Sequence, residues 1–322
     1  GAIAGSAVAA ASAIGSILGP KMEEEGYSRE FSAAVNITSS TTGLLIPPSN
    51  ILIVYSLASG GVSIAALFIA GYLPGILTGL MLMAVAAVWA KWKKFPVGER
   101  TNIKELSTSF LRALPALSLL VIVIGGIIAG IFTATEASAI AVIYTLVLGF
   151  MYRELSFKEL PKVFFDSVMT TSVVMLLIGT SIAMSWVMSF EEIPQTVTAA
   201  LLSVSENKII ILLLINVILL FVGTFMDMTP AVLIFTPIFL PIVTELGIDP
   251  IHFGIIMILN LSIGLCTPPV GTILFVGVGV AKTTIVKIIK PLMPLFIAMI
   301  VALMLITYFP EITMWLPRVF GF

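Results

Sequence analysis

Gly43-Leu44-Leu45-Ile46-Pro47-Pro48-Ser49-Asn50 decides how this chain folds, because Gly264-Leu265-Cys266-Thr267-Pro268-Pro269-Val270-Gly271 repeats it 221 residues later (268 − 47 = 221). Both double prolines lie inside strongly apolar runs. A proline inside a helix removes a donor and clashes with the carbonyl four residues back, so each run must break there. Broken apolar segments at matching places in two halves of a chain point to a binding site at mid-membrane depth. Outward from the prolines, residues 10–48 align with 231–269 without a gap. Nine pairs are identical: Ala10/Ala231, Ile17/Ile238, Pro20/Pro241, Glu24/Glu245, Gly26/Gly247, Gly43/Gly264, Leu44/Leu265, Pro47/Pro268 and Pro48/Pro269. What recurs is mainly glycine and proline, the residues that punctuate structure.

A 221-residue unit ending at Phe322 begins at residue 102 (322 − 102 + 1 = 221). The sequence thus predicts a second repeat over 102–322 and the latter part of a first repeat over 1–101. The remaining 120 residues of that first unit (221 − 101 = 120) are expected upstream of Gly1.

Hydrophobic residues make up 59% of the 322 and charged residues 10%, where soluble domains carry about a quarter charged. Mean hydropathy is +1.16. So much apolar surface needs lipid as its solvent. A net charge of −1 without a basic stripe argues against a nucleic-acid partner. A single cysteine, Cys266, leaves no disulfide framework or thiolate zinc site, and a single histidine, His252, leaves no metal cluster. His252 is expected to be a loop or interfacial residue near a helix start.

Uninterrupted runs long enough to cross about 30 Å of hydrocarbon fall at 63–90, 109–130, 133–151, 165–188 and 288–309. Runs 31–58 and 251–280 are broken at the prolines. Runs 1–19 and 209–246 are interrupted at Gly5-Ser6 and at Gly223-Thr224-Phe225-Met226-Asp227-Met228-Thr229-Pro230, and are expected to be re-entrant hairpins with tips buried in protein or lining a wet cavity. The fold expected is an all-α polytopic membrane protein of inverted-topology repeats, with two re-entrant hairpins and two broken transmembrane helices. Segment 153–167 mixes apolar and charged residues at near-helical spacing, which fits a flat interfacial arm or a polar loop with a short helix.

Charge sets the orientation. Lys91, Lys93, Lys94, Arg100 and Lys104 mark one cytoplasmic loop, and Arg153, Lys158 and Lys162 another. Glu191, Glu192 and Glu206 against Lys208 place 189–208 outside, and Lys282, Lys287 and Lys290 return the chain inside. Counting back, Lys21 to Arg29 lie inside, so the two hairpins open to opposite sides.

Unwound helix at mid-membrane frees carbonyls and amides that have no lipid partner, and a dehydrated Na⁺ can satisfy several oxygens at once. The first half supplies Ser6, Ser39, Ser40, Thr41, Thr42, Gly43, Ser49 and Asn50. The second supplies Thr224, Asp227, Thr229, Asn260, Ser262, Gly264, Thr267 and Gly271. Two Na⁺ sites are expected, one per hairpin and break. The same residues also serve as packing contacts in membrane bundles, so both readings stand. Asp227 is a carboxylate deep in the second hairpin and therefore a functional candidate, with Ser6 at its repeat-equivalent position (227 − 221 = 6). Glu136 reads either as functional or as an interfacial acid. No lysine or arginine falls in a hairpin or break, so an anionic substrate would be held by helix N-termini, amides and the bound cations.

Gly5-Ser6-Ala7-Val8-Ala9, Ile46-Pro47-Pro48-Ser49-Asn50, Gly223-Thr224-Phe225-Met226-Asp227 and Cys266-Thr267-Pro268-Pro269-Val270-Gly271 together resemble the signature stretches of the large membrane subunit of tripartite ATP-independent periplasmic (TRAP) transporters. The resemblance covers essentially the whole chain. It implies a Na⁺-driven secondary importer of the bacterial inner membrane, working by an elevator movement and carrying a carboxylate such as sialic acid. It also implies a small four-helix membrane subunit, separate or fused upstream, and a periplasmic substrate-binding protein. By that resemblance one sodium site would draw on Gly5, Ser6, Ser40, Gly43, Pro47 and Asn50, and the other on Gly223, Thr224, Met226, Asp227, Gly264 and Thr267. Ser6, Ser49, Asn50 and Asp227 would line the substrate site. The main alternative is a Na⁺/dicarboxylate symporter or exchanger of the same architecture that needs no binding protein. A channel fits poorly with closed hairpin tips, and an enzyme lacks any catalytic constellation here.

Overall fold

The computed structural model describes residues 6–96, 102–205 and 207–322, and among them every regular element is a helix. In order these are α1 (Ala7–Glu24), α2 (Arg29–Ser40), α3 (Thr42–Leu45), α4 (Asn50–Ala58), α5 (Ile64–Lys93), α6 (Ile103–Ile128), α7 (Ala134–Met151), α8 (Leu160–Phe190), α9 (Ile193–Val204), α10 (Lys208–Phe225), α11 (Met228–Glu245), α12 (Pro250–Gly264), α13 (Thr272–Val280), α14 (Ile285–Tyr308) and α15 (Glu311–Val319). Seven of these, α5, α6, α7, α8, α10, α11 and α14, are long and apolar enough to cross a membrane.

Helix starts follow from capping residues placed at the repeat interval. Ser6, Ser28 and Ser63 cap α1, α2 and α5, while Asp227, Asp249 and Thr284 cap α11, α12 and α14. Each pair is 221 apart (227 − 6, 249 − 28 and 284 − 63). At Ser6, Ser28, Ser63 and Asp249 the side-chain oxygen accepts from an amide that the first helical turn leaves without a partner, whereas Asp227 and Thr284 hold the same position without such a bond. Ser28 accepts from Phe31 N and Asp249 from Ile251 N.

The chain divides into two compact units, Gly1–Pro96 with Ser181–Phe322, and Val97–Thr180. In the larger unit packing is reciprocal: α1 lies against α2 and α13, while α11 lies against α12 and α4. Helices α1 and α11 thus each touch the first half of the broken segment that follows them and the second half of the other. Helix α12 is the centre of this unit. Every residue from His252 to Gly264 is buried, as expected of a helix apolar on all sides, and it packs on α10, α11, α14 and α5. Tyr55 of α4 donates its hydroxyl to Pro250 O at 2.6 Å, and its ring lies against Gly254.

In the smaller unit α6 and α7 form a helical hairpin turned at Gly130, whose φ of +68° suits glycine. Thr133 and Glu136 make reciprocal capping bonds at the start of α7. Tyr144 bonds Pro115 O at 2.9 Å and Ser118 Oγ at 2.6 Å. Most apolar side chains here point outward, Val142, Ile143 and Met175 among them, which suits lipid or a protein partner.

Several expectations change. Helices α10 and α11 each have 18 residues, about 27 Å at 1.5 Å per residue. Each is long enough to span by itself, where a re-entrant hairpin was expected over 209–246. Two spans and one hairpin leave the chain on the same side, so the charge argument is unaffected. The expected arm at 153–167 is not a separate element. The Glu159 carboxylate accepts from Ser156 N and Oγ, both at 2.8 Å, and α8 then runs unbroken for 31 residues. The 189–208 loop contains α9, and α15 follows the last span. At 12 and 9 residues, both fall below the length by which spans are recognised.

Candidate functional site

In an unbroken helix, Pro47 and Pro48 would supply donors to Gly43 O and Leu44 O, and Pro268 and Pro269 to Gly264 O and Leu265 O. Having no N–H, they cannot. The structure shows where those four carbonyls turn. In the first break, Ser49 Oγ donates to Leu44 O at 2.6 Å and so replaces the amide missing from Pro48. Gly43 O receives no donor among the described residues. In the second, Thr267 N donates to Gly264 O at 2.9 Å, and Leu265 O takes Ile273 N at 3.1 Å and Leu274 N at 3.3 Å. The second break is therefore closed by its own backbone and the first is left more open. Among the described residues, Leu45 O, Ile46 O, Cys266 O and Thr267 O also receive no donor. Both X-Pro bonds between the paired prolines are cis.

The first break bends the segment by 49° between 29–45 and α4. Helix α5 presses against it: Gly71 abuts Leu45 O and Gly75 abuts the Ile46 side chain. Ser40 is buried and bonds Asn36 O at 2.7 Å, while Asn36 Nδ2 reaches across to Ala11 O of α1 at 2.7 Å. Gly43 and Pro47 are buried and Asn50, the first residue of α4, is exposed. Ser6 caps α1, its Oγ accepting from Ala9 N at 3.4 Å. Gly5 lies outside the described residues, so the hairpin face of this site is seen only from Ser6 onward.

The second break and its hairpin are drawn together. A Cβ on Gly264 would lie 2.6 Å from both Gly223 C and Gly223 Cα, so α10 and α12 meet backbone to backbone. Gly271 N donates to Thr224 O at 3.2 Å, which ties the break to the end of α10. Gly271 has φ +29°, and a Cβ there would lie 2.7 Å from Leu265 O and 2.9 Å from Thr267 O. Gly223, Thr224, Gly264, Thr267 and Gly271 thus lie together, with Thr224 O, Leu265 O and Thr267 O gathered around Gly271. Thr224 and Thr267 hydroxyls donate to Leu220 O at 3.0 Å and Ile263 O at 2.8 Å, leaving lone pairs to accept or ligate. Met226 ends α10, its N–H on Val222 O at 2.9 Å. Asp227 is exposed and caps α11 without a side-chain bond to that helix, so its carboxylate is uncommitted to the fold.

Ser49 is fully buried, with its proton committed to Leu44 O. Glu136 sits at a capping box, which accounts for its place. His252 is the third residue of α12, buried where an interfacial position was expected; its Nδ1 lies 2.7 Å from Thr313 Oγ1 and its Nε2 3.3 Å from Thr307 O. Asn260 donates to Asn216 O and Oδ1 at 2.9 and 2.7 Å, and Asn216 to Thr307 Oγ1 at 3.1 Å. That buried chain joins α12, α10 and α14, and sequence pattern alone did not reveal it. Among the described residues no three His, Cys, Asp or Glu gather as a divalent-metal site. Neutral oxygens at the breaks suit a monovalent hard cation.

Residues 1–312 match the family described as "Tripartite ATP-independent periplasmic transporter, DctM component". The whole chain is 59% identical to 74% of "Uncharacterized protein YgiK" of Salmonella typhimurium. It is 44% identical over 98% of its length to half of "Isethionate TRAP transporter permease protein DctMQ" of Oleidesulfovibrio alaskensis. To "C4-dicarboxylate TRAP transporter large permease protein DctM" of Pseudomonas aeruginosa it is 40% identical, over 99% of this chain and 75% of that one.

Proposed function

The chain belongs to the DctM family of TRAP transporters, large permeases of the bacterial inner membrane, and from that premise we propose that it is the membrane engine of a sodium-driven organic-anion importer. The cargo is a carboxylate. Relatives carry names for C4-dicarboxylates and for sialic acid, which are carboxylates, and one for isethionate, a sulfonate; sialic acid is the carboxylate that the motif resemblance implies. Delivery is by a periplasmic binding protein, and a small membrane subunit completes the complex. A relative named DctMQ is the counterpart in which we expect the two membrane parts fused.

What carries the sodium reading is the accounting at the double prolines. Four carbonyls lose their helical donors, and Gly43 O regains none among the described residues. Next to it in the chain are the free Leu45 O and Ile46 O, and near Leu265 O lie Thr224 O and the free Thr267 O; Ser6 joins the first site by the motif resemblance. Na⁺ bound there would neutralise those dipoles and raise the positive field felt by an anion near Asp227, Asn50 and Ser6. Binding of cation and of anion would then favour each other by the same factor. Both breaks and both hairpin helices α1 and α11 belong to one compact unit, as an elevator body carrying its sites together requires.

The test is uptake into proteoliposomes holding the complete transporter. A Na⁺ gradient together with the binding protein should drive accumulation, and Asn50→Ala or Thr267→Ala should raise the Na⁺ needed for half-maximal uptake. Full-rate uptake of free substrate without binding protein would favour the stand-alone symporter. Unchanged Na⁺ activation in both variants would remove the ion sites.

A further inference from the structure

Helices α5 and α14 pack against each other, and two adjoining cavities open along their seam. One, about 380 Å³, is lined by Lys93, Lys287, Lys290, Trp89, Phe95 and Pro291, with Ser28 and Glu30 at its edge. The other, about 280 Å³, is lined by Ala84, Val85, Val88, Trp89, Trp92 and Pro294. Trp89 lines both. On α5, residues 85, 88, 89 and 92 make one stripe at i, i+3, i+4 and i+7. On α14, residues 287, 290, 291 and 294 make another. Lysines stand together at one end of the seam and hydrocarbon fills the rest.

We propose that this seam binds one anionic phospholipid, its phosphate among Lys93, Lys287 and Lys290 and an acyl chain in the groove beyond Trp89. Among the described lining residues, three cations against the one carboxylate of Glu30 leave a net attraction for a phosphodiester. The lysine end is the one that the distribution of Lys and Arg assigns to the cytoplasm, and basic pockets between transmembrane helices on that side recognise anionic headgroups. Lys93 Nζ stands 4.9 Å from the Trp92 ring centroid and 5.9 Å from that of Trp89, which fixes the ammonium over the mouth of the groove. Tryptophan at that level matches the interfacial belt of a bilayer. A helix of the small membrane subunit would fill the apolar cavity equally well but would leave the three lysines without a counter-charge, so charge favours the lipid.

The complete transporter, reconstituted in phosphatidylcholine with increasing fractions of brominated phosphatidylglycerol or brominated phosphatidylcholine, provides the test. Quenching of Trp89 is read as the difference from a Trp89→Phe variant. Phosphatidylglycerol should half-quench at a much lower fraction than phosphatidylcholine. Each lysine near the surface contributes about fivefold in anionic-lipid affinity. Lys287→Gln with Lys290→Gln should therefore cost about 25-fold and leave only the roughly fivefold preference that Lys93 supplies. Lys287→Arg with Lys290→Arg, and a distant Lys208→Gln with Arg318→Gln pair beside the opposite end of α14, should retain the full preference. Equal quenching by both lipids, loss of preference in the distant pair, or no Trp89 quenching in the assembled transporter would overturn the proposal. The last result would mean that a protein segment covers the seam.

Discussion

Substituting Gly264 by alanine tests whether the α10–α12 contact sets the geometry of an ion site. The new Cβ would lie 2.6 Å from Gly223 C and Cα and 3.0 Å from Gly223 O, all backbone atoms that cannot swing aside. Comfortable carbon contact needs about 3.5–4.0 Å, so α10 and α12 must part by about 1 Å. The Gly271 N to Thr224 O bond, already 3.2 Å, would then exceed hydrogen-bond range. Overpacking of this kind costs about 1–3 kcal/mol, about 5- to 150-fold in an equilibrium constant. If those backbone oxygens hold Na⁺, the strain falls on the cation-bound state. The Na⁺ concentration for half-maximal uptake should rise by a factor in that range, with the protein still inserted and assembled. Gly223→Ala meets its nearest backbone atoms at 3.1 Å and should have a smaller effect. Gly279→Ala meets nothing within 4 Å and should have none. An unchanged Na⁺ requirement in Gly264→Ala, with transport otherwise intact, would refute the reasoning.

Ser49→Ala strips buried Leu44 O of its only donor among the described residues, so thermal unfolding of the purified complex should show a loss of about 1–3 kcal/mol; Ser49→Thr should recover most of it. Asp227→Asn should leave stability within about 0.5 kcal/mol, because the carboxylate makes no capping bond, yet it should lower uptake at saturating Na⁺; equal losses in both measurements would make it a structural residue. Tyr55→Phe removes the bond to Pro250 O at the start of α12 and should lower the unfolding temperature without changing which anion is carried, as a substrate panel would check. The Arg29 hydrogen bonds hold the Glu23 carboxyl below its ordinary 4.5. A lowered folded-state pKa stabilises above the unfolded value and loses that contribution as pH falls through the folded one. Arg29→Gln should therefore narrow the gap in thermal stability between neutral pH and pH below 4.5.

The double prolines were legible because their chemistry leaves one outcome: missing N–H groups must interrupt a helix, and both breaks appear at the expected residues. The 221-residue spacing was legible through recurring glycines and prolines, and in the structure helix starts recur at that interval in Ser6/Asp227, Ser28/Asp249 and Ser63/Thr284. Pattern could not say which role a polar residue takes. Ser49 closes Leu44 O, Glu136 closes its own helix start, and Asn260 braces Asn216; each would look the same in sequence had it faced a ligand. Gly223 and Gly264 are placed in the second sodium site by the resemblance, but their close approach was not legible, because it depends on packing two residues that lie 41 positions apart (264 − 223 = 41). Helices α9 and α15 escaped notice because short helices bury one face and show neither a spanning length nor a long period.

The most direct measurement of the central claim is a high-resolution density map of the complete transporter in Na⁺, set against one in choline. The account predicts a compact peak at each double-proline break, present only with Na⁺, ringed by backbone oxygens including Gly43 O in the first and Thr267 O in the second. Maps identical in the two salts, with those oxygens bonded only to protein donors or water, would contradict it.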